Sequence, residues 1–114
     1  MINITYKVPE TGNYIITIKS DHTINSTKLL TTPTLEELKS GIGGGLIEIV
    51  PFFNKFMKRD CVVFCDEEGK LKNMKRNLLA QTFWEAAYGK KITDDYLVGD
   101  IVIIVGSLSF LSRL

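Results

Sequence analysis

Ile101-Val102-Ile103-Ile104-Val105 is a run of five β-branched residues held between Gly99-Asp100 and Gly106, and it does not alternate with polar residues. A strand with one wet face alternates; a run without alternation predicts a strand covered on both faces, at the centre of a sheet. The rest of the chain must supply that strand's neighbours and its covers. With 114 residues, 45% of them hydrophobic and 24% charged, residues 1–114 are expected to form a single domain around one core.

The neighbours are read as follows. Ile2 to Val8 alternates loosely, and the turn formers Pro9 to Asn13 separate it from the β-rich Tyr14 to Ile18, which predicts two strands joined by a turn. Residues 20–32 are polar and β-branched without a helical period, and read as a loop or a weak strand. Thr34-Leu35-Glu36-Glu37 matches a capping box, with Thr34 as N-cap and Glu37 three residues on, opening a short helix that stops at Gly41. Gly43-Gly44-Gly45 leads into the strand Leu46 to Pro51. Phe52 to Asp60 is a basic and aromatic connection, and Cys61 to Phe64 is a strand running into the tight turn Asp66-Glu67-Glu68-Gly69-Lys70. Asn77 is placed to cap a helix over Leu78 to Tyr88. There Leu79, Phe83, Ala86 and Ala87 form the apolar stripe, Trp84 and Tyr88 a neighbouring pair, and Gly89 the stop. A short apolar tail, Leu108 to Leu114, follows the last strand. Hairpins predominate over βαβ alternation, so the expected fold is α+β: a mainly antiparallel sheet of about five strands with two helices packed on one side.

Composition excludes several functions. The 14 Lys and Arg against 13 Asp and Glu give a net charge of +1, and the pI is about 7.7. Neither the dense acidity of a DNA mimic nor the strong basicity of a general nucleic-acid binder is present. No apolar run reaches the roughly 18 residues of a membrane span, and Met1-Ile2-Asn3-Ile4-Thr5 has no signal-peptide character, so a cytoplasmic location is expected. Cys61 and Cys65, four apart on a strand, would have Cα atoms roughly 13 Å apart, beyond the about 7 Å that a disulfide tolerates. With no companion histidine or second cysteine cluster, both thiols are expected to be buried and reduced, with no metal bound.

The catalytic inventory is sparse. His22 stands alone in a polar stretch without a triad or zinc partner, and the glycine run fails as a Walker loop because it precedes its strand and lacks the closing Lys-Ser or Lys-Thr. Three features remain. Alternation in Leu46 to Val50 sets Glu48 between apolar neighbours beside Gly43, Gly44 and Gly45, where backbone can approach a ligand closely. Asp66 opens an acidic turn followed by Lys70, Lys72, Lys75 and Arg76, a local basic patch suited to phosphate, and three adjacent carboxylates lack the spaced ligands of a calcium loop. Trp84 and Tyr88, one turn apart, are aromatics able to stack on a base. Each feature has a plainer reading as well: an exposed edge or solvent face, or a salt bridge to a lysine, for Glu48, a solvated turn for the charges, and core for the aromatics.

Gly44-Gly45-Leu46-Ile47-Glu48-Ile49-Val50, then Asp66-Glu67-Glu68-Gly69-Lys70, then Asn77, then Gly99 before an apolar strand form an ordered pattern over residues 40–106. It resembles a domain-of-unknown-function family of phages, plasmids and conjugative elements, in which Asn usually stands where this chain has Asp66. The resemblance implies a mobile-element accessory protein in a setting rich in counter-defence functions, and no established reaction.

From these features the leading expectation is a non-enzymatic protein without a cofactor that binds and sequesters a nucleotide-derived signalling molecule of host defence. Its ligand would be held by Gly43, Gly44, Gly45, Glu48, Asp66, Lys70, Lys72, Lys75, Arg76, Asn77, Trp84 and Tyr88. If phage-encoded, it would act in the host cytoplasm. The alternative is a protein-binding inhibitor or modulator of a host enzyme, using an apolar patch such as Phe52, Phe53, Phe56 and Met57. An enzyme would have only Glu48 and Asp66 as an acid-base pair. The apolar tail and the phenylalanine pairs also point to a homodimer or higher homo-oligomer.

Overall fold

The computed structural model describes residues 6–114. The chain runs through β1 (Asn13–Ile18), β2 (Ile24–Leu29), α1 (Leu35–Gly41), β3 (Ile47–Ile49), β4 (Lys55–Phe56), β5 (Arg59–Asp66), α2 (Leu78–Tyr88), β6 (Ile101–Val105) and α3 (Leu108–Leu111). Among the described residues, five strands lie in the order β2-β1-β6-β5-β3 and β4 pairs with the start of β5, which makes a sheet of six strands with every pairing antiparallel. The α+β class and the antiparallel sheet expected from the sequence are what is found.

The unalternating run is the central strand. Ile101, Ile103 and Val105 face one core with Ile16, Ile18, Val63, Leu79, Ala80 and Trp84, while Val102 and Ile104 face another with Leu38, Ile42, Phe64, Phe110 and Leu111. The helices therefore divide between the two faces, α2 on one and α1 with α3 on the other, and do not share one side. A strand apolar in every position needs a cover on each face, so the division follows from β6 itself. Gly41 closes α1 against it: a Cβ there would lie 2.3 Å from Val102 Cγ2.

Three local expectations change. The first strand falls partly on residues 1–5, outside the described residues, and residues 6–8 carry no strand pairing. β1 instead pairs with β2, inside the polar stretch read as a loop or weak strand; as an outer strand with mostly exposed residues, β2 has no apolar face to alternate. The tail folds into α3, whose Phe110 and Leu111 are buried on the chain's own sheet, and Phe53 and Phe56 are buried at 2% and 1% exposure. Most of the apolar surface that argued for a homo-oligomer is thus internal. Among the described residues, no helix is long and apolar enough to cross a membrane.

Candidate functional site

The glycine run leaves α1 at its C-terminal end. Gly43 and Gly44 have φ of 92° and 88°, are exposed, and donate their N–H groups to Ser40 O at 3.2 Å and Lys39 O at 2.7 Å. Those donors are spent on capping the helix, and the helix end beside them is the negative one, so Gly43 and Gly44 do not form a phosphate cradle. Gly45 serves close packing: a Cβ on it would lie 2.4 Å from Asp66 Oδ2.

Asp66 ends β5 in the interior, its side chain 2% exposed. Oδ1 accepts from the Glu68 N–H at 2.8 Å, and Oδ2 accepts from Lys72 Nζ at 2.7 Å. Burial alone would raise this carboxyl, but the Lys72 ammonium and the Glu68 N–H outweigh it and hold it below the usual carboxylate range. Asp66 and Lys72 are thereby committed to the turn that follows β5. With a folded pKa below the unfolded one, the contribution is present above the ordinary carboxylate value and lost as pH falls through the folded value. Replacing Asp66 by Asn keeps the acceptor for Glu68 and removes the ion pair. Because Lys72 is exposed, the expected cost at neutral pH is only about 1 kcal/mol. Urea midpoints should show this gap at pH 7 and show it closing in acid; an equal gap at both would contradict the pairing.

Glu48, Asp66, Lys70 and Trp84 do come together, lining a cavity of about 90 Å³ with Cys65, Asp95 and Tyr96. Glu48 is exposed on the outer strand, as its plainer reading has it, and accepts only a weak contact from Cys65 Sγ at 3.8 Å. Lys70 pairs with Asp95 and stands 4.5 Å from the centre of the Tyr96 ring, and the Arg76 guanidinium lies 4.0 Å from the same ring. The cavity continues past Pro51, Trp84 and Asp95 into a depression of about 230 Å³ walled by Phe52 and Tyr88, whose rings are 5.4 Å apart. Gly44, Gly45 and Lys72 line a separate open depression, and Lys75 is among the lining residues of none of these three.

Two predicted ligand residues prove structural. Asn77 is fully buried: its amide donates to Ile18 O at 2.8 Å and Gly99 O at 2.9 Å, and its carbonyl accepts from the Ala80 N–H at 3.0 Å. Trp84, at 4% exposure, is a core residue of α2 whose indole N–H donates to Pro51 O at 2.9 Å, so it floors the groove and is not a free stacking surface. Tyr88 is 40% exposed and keeps that possibility. Sequence reasoning missed Asp95 and Tyr96, an acid and an aromatic just before the buried Leu97, and it gave Cys65 no place in the site. Burial, with Glu48 and Asp66 nearby, pushes the Cys65 thiol up to about 12, and burial does the same to Cys61, so neither is a ready nucleophile at neutral pH. Among the described residues, no group of three or more His, Cys, Asp or Glu is placed to hold a metal ion.

No curated protein and no solved structure matches this chain. A family model does, over a span that contains β1 to β6 and every residue of the groove. That model, described as Domain of unknown function (DUF3846), matches residues 8–109, and the chain belongs to this family.

Proposed function

We propose that the chain is a non-catalytic accessory protein of a mobile element that engages a host protein in the host cytoplasm, through β3 and the groove behind it. The observation that carries this reading is the exposed apolar surface at that end of the sheet. Leu46, just before β3, and Ile49, at its end, are 52% and 60% exposed, and Phe52 and Tyr88, at 69% and 40%, touch at the far end of the groove. Exposed aromatic and aliphatic residues beside a concave, partly charged surface are the usual anchors of protein recognition. The phosphate-binding set, by contrast, is dispersed: Lys72 is held by Asp66, Lys70 by Asp95, and the glycines face a helix C-terminus. Of the apolar patch expected from sequence, only Phe52 lies well outside.

A second reading, capture of a nucleotide-derived signalling molecule, is supported by the convergence of Glu48, Lys70 and Tyr96 at one cavity with Arg76 on the same ring. The enclosed part, about 90 Å³, is below the about 300 Å³ at which small-molecule sites begin. A nucleotide would have to extend over Trp84 toward Tyr88.

One pair of measurements separates the two. Affinity capture from host lysate should retain a partner on the parent and lose at least about tenfold of it on Phe52→Asp, provided the variant keeps the parent's urea midpoint. Equal retention by both counts against the protein reading. Native mass spectrometry against cyclic dinucleotides, cyclic ADP-ribose isomers and mononucleotides should show no complex; one that weakens at least about tenfold in Glu48→Ala would establish the ligand reading instead.

A further inference from the structure

We infer that β3 is a docking edge for an extended segment of the partner, added to the sheet as a new outer strand and carrying a basic residue between apolar ones. The inference rests on the protein-partner reading and specifies its mode. Val50 donates its N–H to Val63 O at 2.8 Å, and Leu46 O accepts from the Glu67 N–H at 2.8 Å. In the register Ile47↔Asp66, Glu48↔Cys65, Ile49↔Phe64, these bonds make Leu46, Glu48 and Val50 the residues that bond to β5. The N–H and C=O groups of Ile47 and Ile49 therefore point away from the sheet. Among the described residues, none of these four groups has a hydrogen-bond partner. They are the donors and acceptors that strand addition uses.

The outer strands β2 and β3 are not alike. β2 presents the polar side chains of Asn25 to Lys28, a common guard against unwanted pairing. β3 presents Ile49, with Leu46 just before the strand, both more than half exposed.

The side chains define the occupant. Glu48 lines one cavity with Glu67, and the other charges there are already paired, Lys70 with Asp95 and Asp66 with Lys72, so among the described residues the negative charge left over is that of Glu48 and Glu67. A residue directly opposite Glu48 on an added strand would stand about 5 Å away, so a lysine or arginine fits it. Its two neighbours would point to the other face, beside Ile47 and Ile49, where apolar side chains fit. A second copy of this chain is disfavoured, because a two-fold pairing centred on the strand sets Glu48 against Glu48.

The test uses two capped peptides, one alternating valine with lysine and one alternating valine with glutamate, titrated against the full chain. The lysine peptide should bind at least about tenfold more tightly, and Glu48→Lys should invert that order. Hydrogen exchange should slow at the amides of Ile47 and Ile49 when the lysine peptide is bound. Ile49→Pro should abolish binding, because it deletes an outward N–H and leaves the β5 ladder intact. A lysine peptide N-methylated along its pairing edge should fail in the same way with no change to the protein. No binding at millimolar peptide, an unprotected Ile47 and Ile49, or full binding to Ile49→Pro or by the methylated peptide overturns the inference. If Phe52→Asp loses the captured host protein while Ile49→Pro keeps it, strand addition is wrong and the partner reading stands. If both variants keep it, both fail.

Discussion

Replacing Asn77 by Ala is expected to remove about 3 to 4 kcal/mol of folding stability, measured as a lower urea midpoint with an unchanged slope. The side chain makes three buried hydrogen bonds that belong to three parts of the fold: the first turn of α2, the end of β1 at Ile18, and Gly99 at the entry to β6. Loss of the N-cap accounts for about 1 kcal/mol. The larger share comes from Ile18 O and Gly99 O, which each lose a donor in a dry interior, at about 1 to 3 kcal/mol for a buried group left unpaired. Asn77→Asp separates the two contributions. It keeps the acceptor for the Ala80 N–H but turns an oxygen toward both carbonyls, so it should be at least as damaging as Ala. A variant within about 1 kcal/mol of the parent would mean that the cap alone matters.

Trp84→Ala should be equally costly, about 3 to 5 kcal/mol, the range for truncating a large buried aromatic. The ring is packed in the core beside Leu79 and Ala80, and its N–H fastens α2 to Pro51, at the exit of β3. Trp84→Phe keeps most of the apolar contact and drops the hydrogen bond, and is expected to cost about 1 to 2 kcal/mol. Unfolding has to be followed by circular dichroism, since this is the chain's only tryptophan. If the Phe variant is as unstable as the Ala variant, the N–H to Pro51 is the dominant contribution and the packing argument fails.

The parts of the fold legible in the sequence were those written in local chemistry. Thr34 and Glu37 form the capping box in both directions, Asn77 caps α2, and Gly89 ends it with φ of 90°. The unalternating β6 gave its own place at the centre. What was not legible depended on distant partners. Asn77 reads as a cap, but its two donors reach Ile18 and Gly99, 59 and 22 residues away, and that is why a polar residue sits in the core. On α2, Leu79, Phe83 and Ala87 of the expected stripe do pack on the core, Phe83 with its ring 4.7 Å from that of Phe56, while Ala86 is exposed and Trp84 is buried beside them; periodicity does not show that Pro51 O, by accepting the indole N–H, draws Trp84 inward as well. Glu48 was open between a ligand contact and an exposed edge, and the place of β3 at the border of the sheet decides for the edge, so Glu48 stays in water while Val50 is buried. Asp95 and Tyr96 reach the groove through the path of a loop, which carries no repeat in sequence.

The strand order has a consequence for how the chain acquires its structure. β6 is sixth in sequence but third across the sheet, between β1 and β5. Until residues 101–105 arrive, the β1–β2 hairpin has no link through the sheet to the β3–β5 unit, and each carries one apolar border waiting for the same strand. On a ribosome adding about 5 to 20 residues per second, the two halves would wait as separate, incomplete pieces for seconds. The sheet closes in a single late step, when the most apolar segment of the chain is inserted between them. Such non-local closure is slow compared with hairpin formation, typically milliseconds to seconds, and it makes acquisition of the fold an event that follows synthesis of residues 101–105.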